Sequence, residues 1–320
     1  MDKGFTLVEL LVSLFIFSIL MSGVYVTYTS LYSDYKMQSS GIQSEVEKLV
    51  GLNLLRLDIE HAGYGISDNS SALPIEMNSN DLIVRSVINA TNQKTYGWSL
   101  IEYNGSWNLK SGDPSISGAN YVVLDALDKS FVTDGVNWGD STGMSAGNSY
   151  LAFPYDNATS GCATQFCNKI TYALSGSTST SNCNPNTSDL LRKVGDGSGS
   201  HIVDCVADMK IRFDYDSDNS SGIEDDERNQ AFSGTWSADD IRENLKSVNV
   251  YLLVQDGNID RDFNFAEINQ VDTSVPAFIY YNADPTDTNC DPEDICLDLP
   301  SDYEHYRWAP VSVKVNPMNL

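Results

Sequence analysis

Basic residues are scarce in this chain of 320 residues: 19 lysines and arginines stand against 44 aspartates and glutamates, for a formal net charge of −25. The cations are also scattered, which argues against nucleic acid as a partner, because that affinity comes mostly from Lys and Arg on phosphates. Cysteine is missing from the first 160 residues. All six cysteines (Cys162, Cys167, Cys183, Cys205, Cys290 and Cys296) come later, and none forms a Cys-x-x-Cys pair. That pattern speaks against a zinc or thioredoxin-like motif and for disulfides in an oxidising compartment. Histidine is rarer still, with only His61, His201 and His305, and nothing marks any of them as a base. His61 reads instead as a dipole partner at a helix end. No repeat period stands out.

What the chain does have is an apolar run from Phe5 to about Tyr32, behind a short charged head that ends at Gly4. A bilayer-crossing helix needs roughly 20 such residues. An ordinary secretory signal carries a small-residue cleavage site after its apolar core, whereas here the small-residue break, Gly4, comes before it. Glu9 sits inside the run. An ionisable group there costs on the order of 2.5–3.5 kcal/mol or more, so it is functional by default. Tyr25, Tyr28, Tyr32 and Tyr35 fall at helical spacing near the exit, as an interfacial aromatic belt does. Beyond Lys36 the pattern turns amphipathic, with Ile42, Val46, Leu49, Val50, Leu54 and Leu57 at steps of three and four. This stripe is the face a globular head is expected to cover. Gly63 and Gly65 end the pattern, so one helix is expected over 5–62, about 85 Å long at 1.5 Å per residue. Its transmembrane part would cover about 5–31.

After Gly65 the periodicity shortens. Leu82–Val84, Tyr121–Leu124, Ile170–Leu174, Met209–Phe213, Val248–Val254 and Val311–Val315 read as strands. The Val248 run is nearly continuous in apolar residues and is expected to be buried on both sides. Asn104-Gly105 reads as a two-residue hairpin turn before Trp107. The loops between strands are long and rich in Gly, Ser, Asn and Asp. The expected fold class is α+β: a leader at 1–4, the long helix at 5–62, and a β-rich head at 63–320 packed on the far half of that helix.

Three features could carry chemistry. Asp216–Glu227 nearly fits the twelve-residue calcium loop of EF-hands. Asp216, Asp218, Ser220, Glu224 and Glu227 stand at the first, third, fifth, ninth and twelfth places. It departs at the sixth, where Ser221 replaces the usual glycine, so the expectation is a stand-alone Ca²⁺ loop between strands. A second loop, Asp256, Asn258, Asp260, Asp262 and Glu267, has similar spacing, weakened by Arg261. Gly139-Asp140-Ser141-Thr142-Gly143 matches the Gly-x-Ser-x-Gly nucleophile elbow, but no strand leads directly into it and no helix follows, so no catalytic residue is assigned and no enzyme activity expected. For the cysteines, short chain separation favours Cys162–Cys167 and Cys290–Cys296, with Cys183–Cys205 by elimination, one of fifteen connectivities.

The stretch Lys3-Gly4-Phe5-Thr6-Leu7-Val8-Glu9 resembles the processing site of type IV pilins and of the related type II secretion pseudopilins. The resemblance implies that prepilin peptidase cuts between Gly4 and Phe5 and N-methylates Phe5. It also implies that Glu9 pairs with the N-terminal amine of a neighbouring subunit during assembly. The physical logic agrees, since a buried carboxylate is tolerable beside an opposite charge. The ending Arg56-x-Asp58…Ala62-Gly63-Tyr64-Gly65 resembles the end of the long helix in PilW-type minor pilins. The strands at Met209–Tyr215 and Val248–Val254 and the closing stretch Tyr306–Asn316 resemble that type more loosely. It implies a minor pilin that helps to prime a type IV pilus, near its tip, with other major and minor pilins as partners. The head would sit in the periplasm, anchored in the inner membrane, before assembly and in the extracellular fibre afterwards. It is much larger than a typical major pilin's. A J-type pseudopilin of a type II secretion system and a pilus-tip adhesin are the alternatives.

Overall fold

The computed structural model describes residues 7–67, 73–155, 168–195, 197–218, 222–265, 278–281 and 295–318. Helix α1 runs over Leu7–Glu60, 54 residues, or about 81 Å at 1.5 Å per residue. Within its apolar part the hydroxyls of Ser13, Ser18, Thr27 and Thr29 donate to carbonyls three or four residues back, which removes their need for other partners. The helix stops in a turn where Gly63 (φ 82°) and Gly65 (φ 69°) take left-handed conformations that side chains disfavour. The N–H of Gly63 then donates to Arg85 O, and that of Val87 to Tyr64 O, so the turn is tied directly to the sheet.

The strands are β1 (Ile75–Asn78), β2 (Asp81–Ser86), β3 (Ser99–Tyr103), β4 (Trp107–Gly112), β5 (Asn120–Asp125), β6 (Phe131–Val136), β7 (Ser149–Tyr155), β8 (Asn168–Leu174), β9 (Ser188–Val194), β10 (Ser200–Tyr215), β11 (Leu245–Asp256), β12 (Phe278–Tyr281), β13 (Ile295–Asp298) and β14 (Arg307–Val315). A short helix α2 spans Ala238–Asn244, capped by Ser237 and Asp240 in a capping box. A seven-stranded sheet has the order β1-β2-β8-β9-β10-β11-β14, and a five-stranded sheet the order β4-β3-β7-β5-β6. Every pairing is antiparallel. The chain is α+β.

The core follows from strand alternation. Val248, Val250, Leu252 and Val254 of β11 face the helix and pack with Leu55 and Ile59 of α1, with Ala62 in the turn that follows it, and with Met209, Ile211 and Phe213 of β10. Tyr251 and Leu253 point the other way, into a second core with Phe265, Leu297, Tyr306 and Trp308. Strand β11 is thus buried on both faces, as its continuous apolar run implies. The five-stranded sheet has its own core, in which Trp107, Tyr121 and Trp138 meet with ring centroids 5.1 to 5.7 Å apart. It reaches the end of the helix through Tyr64, edge-on to Phe153 at 5.0 Å.

Two local expectations change. The β3–β4 hairpin closes with Tyr103 opposite Trp107, so Asn104, Gly105 and Ser106 form a three-residue loop. Gly105 at φ 87° supplies the left-handed residue that such a loop needs. The helix buries a different face from the one its apolar stripe announces. Val46, Leu49, Val50 and Leu57 are 54, 62, 65 and 42% exposed, while Lys48, Gly51, Leu55, Asp58, Ile59 and Ala62 are buried. The reason is closeness of approach. A Cβ on Gly51 would stand 2.2 Å from Ile202 O, so the sheet seats itself where the helix is thinnest.

Candidate functional site

The uncovered surface of α1 starts at its membrane-type segment. Leu7–Tyr32 is 26 residues long with a mean hydropathy of 2.3, and none of it is buried. Glu9 lies on this exposed apolar rod; Gly4 and Phe5 lie outside the described residues. Tyr28 and Tyr32 stack at 6.1 Å near its end, and Tyr25 and Tyr35 are also exposed. Further on, Val46, Leu49, Val50 and Leu57 continue the apolar surface on the side away from the head.

On the other side the helix is locked to the head by a buried polar group that the sequence did not announce. Arg192 of β9 holds Asp58 through two bonds, Nε to Oδ2 at 2.6 Å and Nη2 to Oδ1 at 3.1 Å. It also donates to Asn89 Oδ1 at 3.2 Å, and the Tyr172 hydroxyl of β8 donates to Asp58 Oδ2. The side chains of Arg192 and Asp58 are 5 and 1% exposed. Burial, and then the charge of Asp58, push the Tyr172 hydroxyl well above its ordinary range, so it stays a donor. Burial works against the Arg192 charge, but its bonds to Asp58 more than offset this. Nearby, Lys48 Nζ stands 3.7 Å from Asp256 Oδ1. Only the Arg56-x-Asp58 pattern hinted at this group; Arg192, 134 residues away, carried no signal.

The acidic loop is partly assembled. Carboxylate oxygens of Asp216, Asp218 and Glu227 lie within 4.8 Å of one another, with Asp216 and Glu227 buried and Asp218 exposed. Glu224 is exposed and caps the short 3₁₀ turn Asp225–Glu227 instead of joining them. Ser220 lies outside the described residues. Glu227 Oε1 accepts from Ser217 N at 2.6 Å and Ser217 Oγ at 2.9 Å, bonds that hold its carboxyl below the ordinary range. Lys246 Nζ stands 3.5 Å from Asp216 Oδ2, so one cation already faces the cluster. In the second acidic loop Asp260 is committed to Arg307 at 3.0 Å and Asp256 faces Lys48, and among the described residues no metal-type cluster forms there. The stretch 139–143 lies on the connection from β6 to β7, and Asp140 Oδ1 accepts from Thr142 N.

Cys183 and Cys205 are joined, with Cα atoms 5.2 Å apart. Cys296 is also disulfide-bonded, while Cys162, Cys167 and Cys290 lie outside the described residues. Beside the first bridge, Asp189, His201 and Asp204 come together, a group that sequence reading had not assembled. Asp189 is already satisfied: it accepts from Thr178, from Ser179 twice, and from Cys205 N, with His201 Nδ1 at 2.9 Å. It organises the loop around the bridge.

Residues 1–25 match the family model of the prokaryotic N-terminal methylation motif. The chain carries the signal of type IV pilins and pseudopilins. This signal implies processing by a prepilin peptidase, anchoring by the apolar helix, and assembly with other pilins. The match ends at residue 25, inside the apolar rod that runs to Tyr32, and so stops well short of the head. No curated protein and no solved structure matches the chain.

Proposed function

We propose that this protein is a PilW-like minor pilin of a type IV pilus that helps to initiate the fibre and sits near its tip. It acts by assembly and not by catalysis. Before assembly the helix holds it in the inner membrane with the head in the periplasm; afterwards the helix lies in the fibre and the head faces out. The observation that carries this reading is the apolar surface of α1, which the head leaves uncovered from Leu7 to Tyr32 and again at Val46, Leu49, Val50 and Leu57. An apolar face this long needs a cover, and helices of neighbouring subunits offer one of matching shape. Glu9 supplies the docking charge for a neighbour's methylated Phe5 amine. In the same reading the loop at Asp216, Asp218 and Glu227 takes a Ca²⁺ ion, as its hard oxygen donors suit.

The test is composition of sheared fibres together with intact mass. Wild-type protein is expected to lack Met1–Gly4, to carry one added methyl, and to be present in the fibre fraction. Glu9→Leu is expected to be processed and inserted but absent from fibres; its normal incorporation overturns the docking role. Deletion of the chain is expected to remove pili and leave protein secretion intact. The reverse outcome assigns it to a secretion system as a J-type pseudopilin.

A further inference from the structure

On the face of the seven-stranded sheet opposite α1, the lower ends of β10, β11 and β14 and the segment after the acidic loop enclose a cleft of about 280 Å³, lined by Asp214, Arg228, Asn229, Asn249, Tyr251 and Lys314. Its floor is a buried polar network, unusual for a sheet face that is apolar further along. Asp214 and Asn249 are 3 and 4% exposed. Asp214 Oδ1 accepts from Asn249 Nδ2 at 2.8 Å and from Asn229 N at 3.0 Å; its Oδ2 accepts from Ser247 Oγ at 2.7 Å and Lys314 Nζ at 2.6 Å. Asn229 Oδ1 accepts from Asn249 Nδ2 at 3.1 Å and from the Tyr251 hydroxyl at 2.8 Å.

The hydrogen-bond inventory of this cleft is lopsided. The acceptors of Asp214 and Asn229 are filled by the network itself. The donors are in surplus: Lys314 has three N–H groups and gives one to Asp214, and Arg228 has five and gives one to Ile223 O. Asp225 only approaches Arg228 Nε at 4.0 Å and is itself fully solvated. The side chains of Arg228 and Lys314 are 57 and 64% exposed, and so are open to a ligand. In a chain of net charge −25, the charged side chains lining this cleft are Arg228, Lys314 and Asp214; Lys314 neutralises Asp214 and Arg228 is left over, a net charge of +1 and a local inversion of sign. It selects a ligand rich in acceptors and negatively charged. The volume is at the small end of ligand pockets, which run roughly 300–1,000 Å³, so it admits about one ring. The lining is polar, with Val313 its one aliphatic side chain, which disfavours an apolar peptide anchor.

We propose that this cleft binds a sugar acid, a single ring carrying a carboxylate and several hydroxyls. The carboxylate sits against the Arg228 fork and Lys314, a planar pairing that guanidinium favours, and ring hydroxyls accept from the remaining donors. Because the cleft lies on the sheet face away from α1, it stays open when the helix is covered, and it does not depend on which assembly the helix joins.

The experiment uses the full chain in detergent micelles, titrated calorimetrically with sodium glucuronate, glucose, sodium phosphate, oligogalacturonate and its monomer, sodium galacturonate. Glucuronate is expected to bind in the millimolar range or tighter, and glucose and phosphate at least about tenfold more weakly. Arg228→Gln is expected to weaken glucuronate about tenfold with an unchanged melting temperature, since that side chain is solvated. Lys314→Gln should weaken it too, and melting it alongside separates lost binding from a disturbed floor. Oligogalacturonate binding much tighter than the monomer would identify a polysaccharide end as the source; equal binding, a free sugar acid. Absence of glucuronate binding overturns the proposal, as does equal binding of glucose, equal binding of phosphate, or full affinity in Arg228→Gln.

Discussion

Two carboxylates on one helix, Glu9 and Asp58, stand in opposite circumstances. Glu9 lies on a rod whose apolar side chains are all exposed, while Asp58 is enclosed and gripped by Arg192 and Tyr172. A charge taken from water needs an opposite charge in good geometry. For Asp58 the chain brings its own from β9. For Glu9 the proposed docking role adds the amine of a second subunit. The two halves of α1 therefore differ in their surroundings: the head encloses Asp58, while Glu9 stays on an exposed apolar surface.

The sharpest way to break this comparison is to strand the buried charge. Arg192→Ala or Asp58→Ala should cost about 3–5 kcal/mol, because either leaves an uncompensated ion inside the head. Asp58→Leu together with Arg192→Met should cost less than either single change, since no charge is left behind. Glu9→Leu should leave the melt of the same full-length protein unmoved. Denaturant titration in detergent reads all four, and a loss under about 1 kcal/mol for Arg192→Ala would remove the distinction between the two carboxylates.

Next in size is the contrast between the two faces of the covered half. Leu55 is 1% exposed, and Leu55→Ala should cost about 2–5 kcal/mol through the cavity it leaves. Leu49, 62% exposed, should tolerate Ala within about 0.5 kcal/mol in the isolated chain, yet lower the amount of protein in sheared fibres. Equal stability losses at the two positions would mean that the head covers both faces in solution.

That contrast also shows how far the sequence could be read. The pilin-type signal was legible because it is local and its residue types are unusual together. Strands β2, β5, β8, β10, β11 and β14 were legible as apolar runs. Strand β9 was not, because Asp189, Arg192 and Lys193 interrupt it, and Arg192 is there for a partner on another element. The buried face of α1 was illegible for a related reason. It mixes Leu55 and Ile59 with Lys48, Gly51 and Asp58, so its selection depends on closeness and pairing rather than on hydrophobicity. In the acidic loop, spacing named five ligands; the described fold brings Asp216, Asp218 and Glu227 together and draws Glu224 off to cap a turn, while Ser220 lies outside the described residues.

Acid should loosen the head and not the helix rod. Burial opposes ionisation of Asp189 and Asp214, but hydrogen bonds from Ser179 to the first, and from Lys314 and the Asn229 N–H to the second, hold both below the ordinary carboxylate range. A folded-state value that is depressed means that the stability it contributes is present above the unfolded value and is lost as pH falls through the folded one. Melts should therefore stay level from neutral pH to the ordinary carboxylate range and fall below it. Asp189→Asn should start lower and fall less. A melting curve that rises on acidification would reverse the assignment.

The smallest expected effect is that of Ca²⁺ on the loop at Asp216, Asp218 and Glu227. Three carboxylates reach the lower end of the six to eight oxygens that Ca²⁺ prefers only if each binds through both of its oxygens. Lys246 already relieves part of the repulsion at Asp216, and the Ser217 N–H and hydroxyl occupy Glu227 Oε1. A site of this kind belongs with the weak extracellular ones, with Kd about 1 mM, so about 10 mM Ca²⁺ should add about 1.4 kcal/mol, or roughly 3–6 °C. Mg²⁺ should add less, because it holds its waters and demands a tighter shell. Lys246→Gln carries the decisive sign. It removes the competing cation, so it should lower the melting temperature in chelator and enlarge the gain on adding Ca²⁺, while Asp216→Asn with Asp218→Asn abolishes that gain. A melting temperature indifferent to Ca²⁺ in both the wild type and Lys246→Gln would leave Lys246, and not Ca²⁺, as the counter-ion of Asp216.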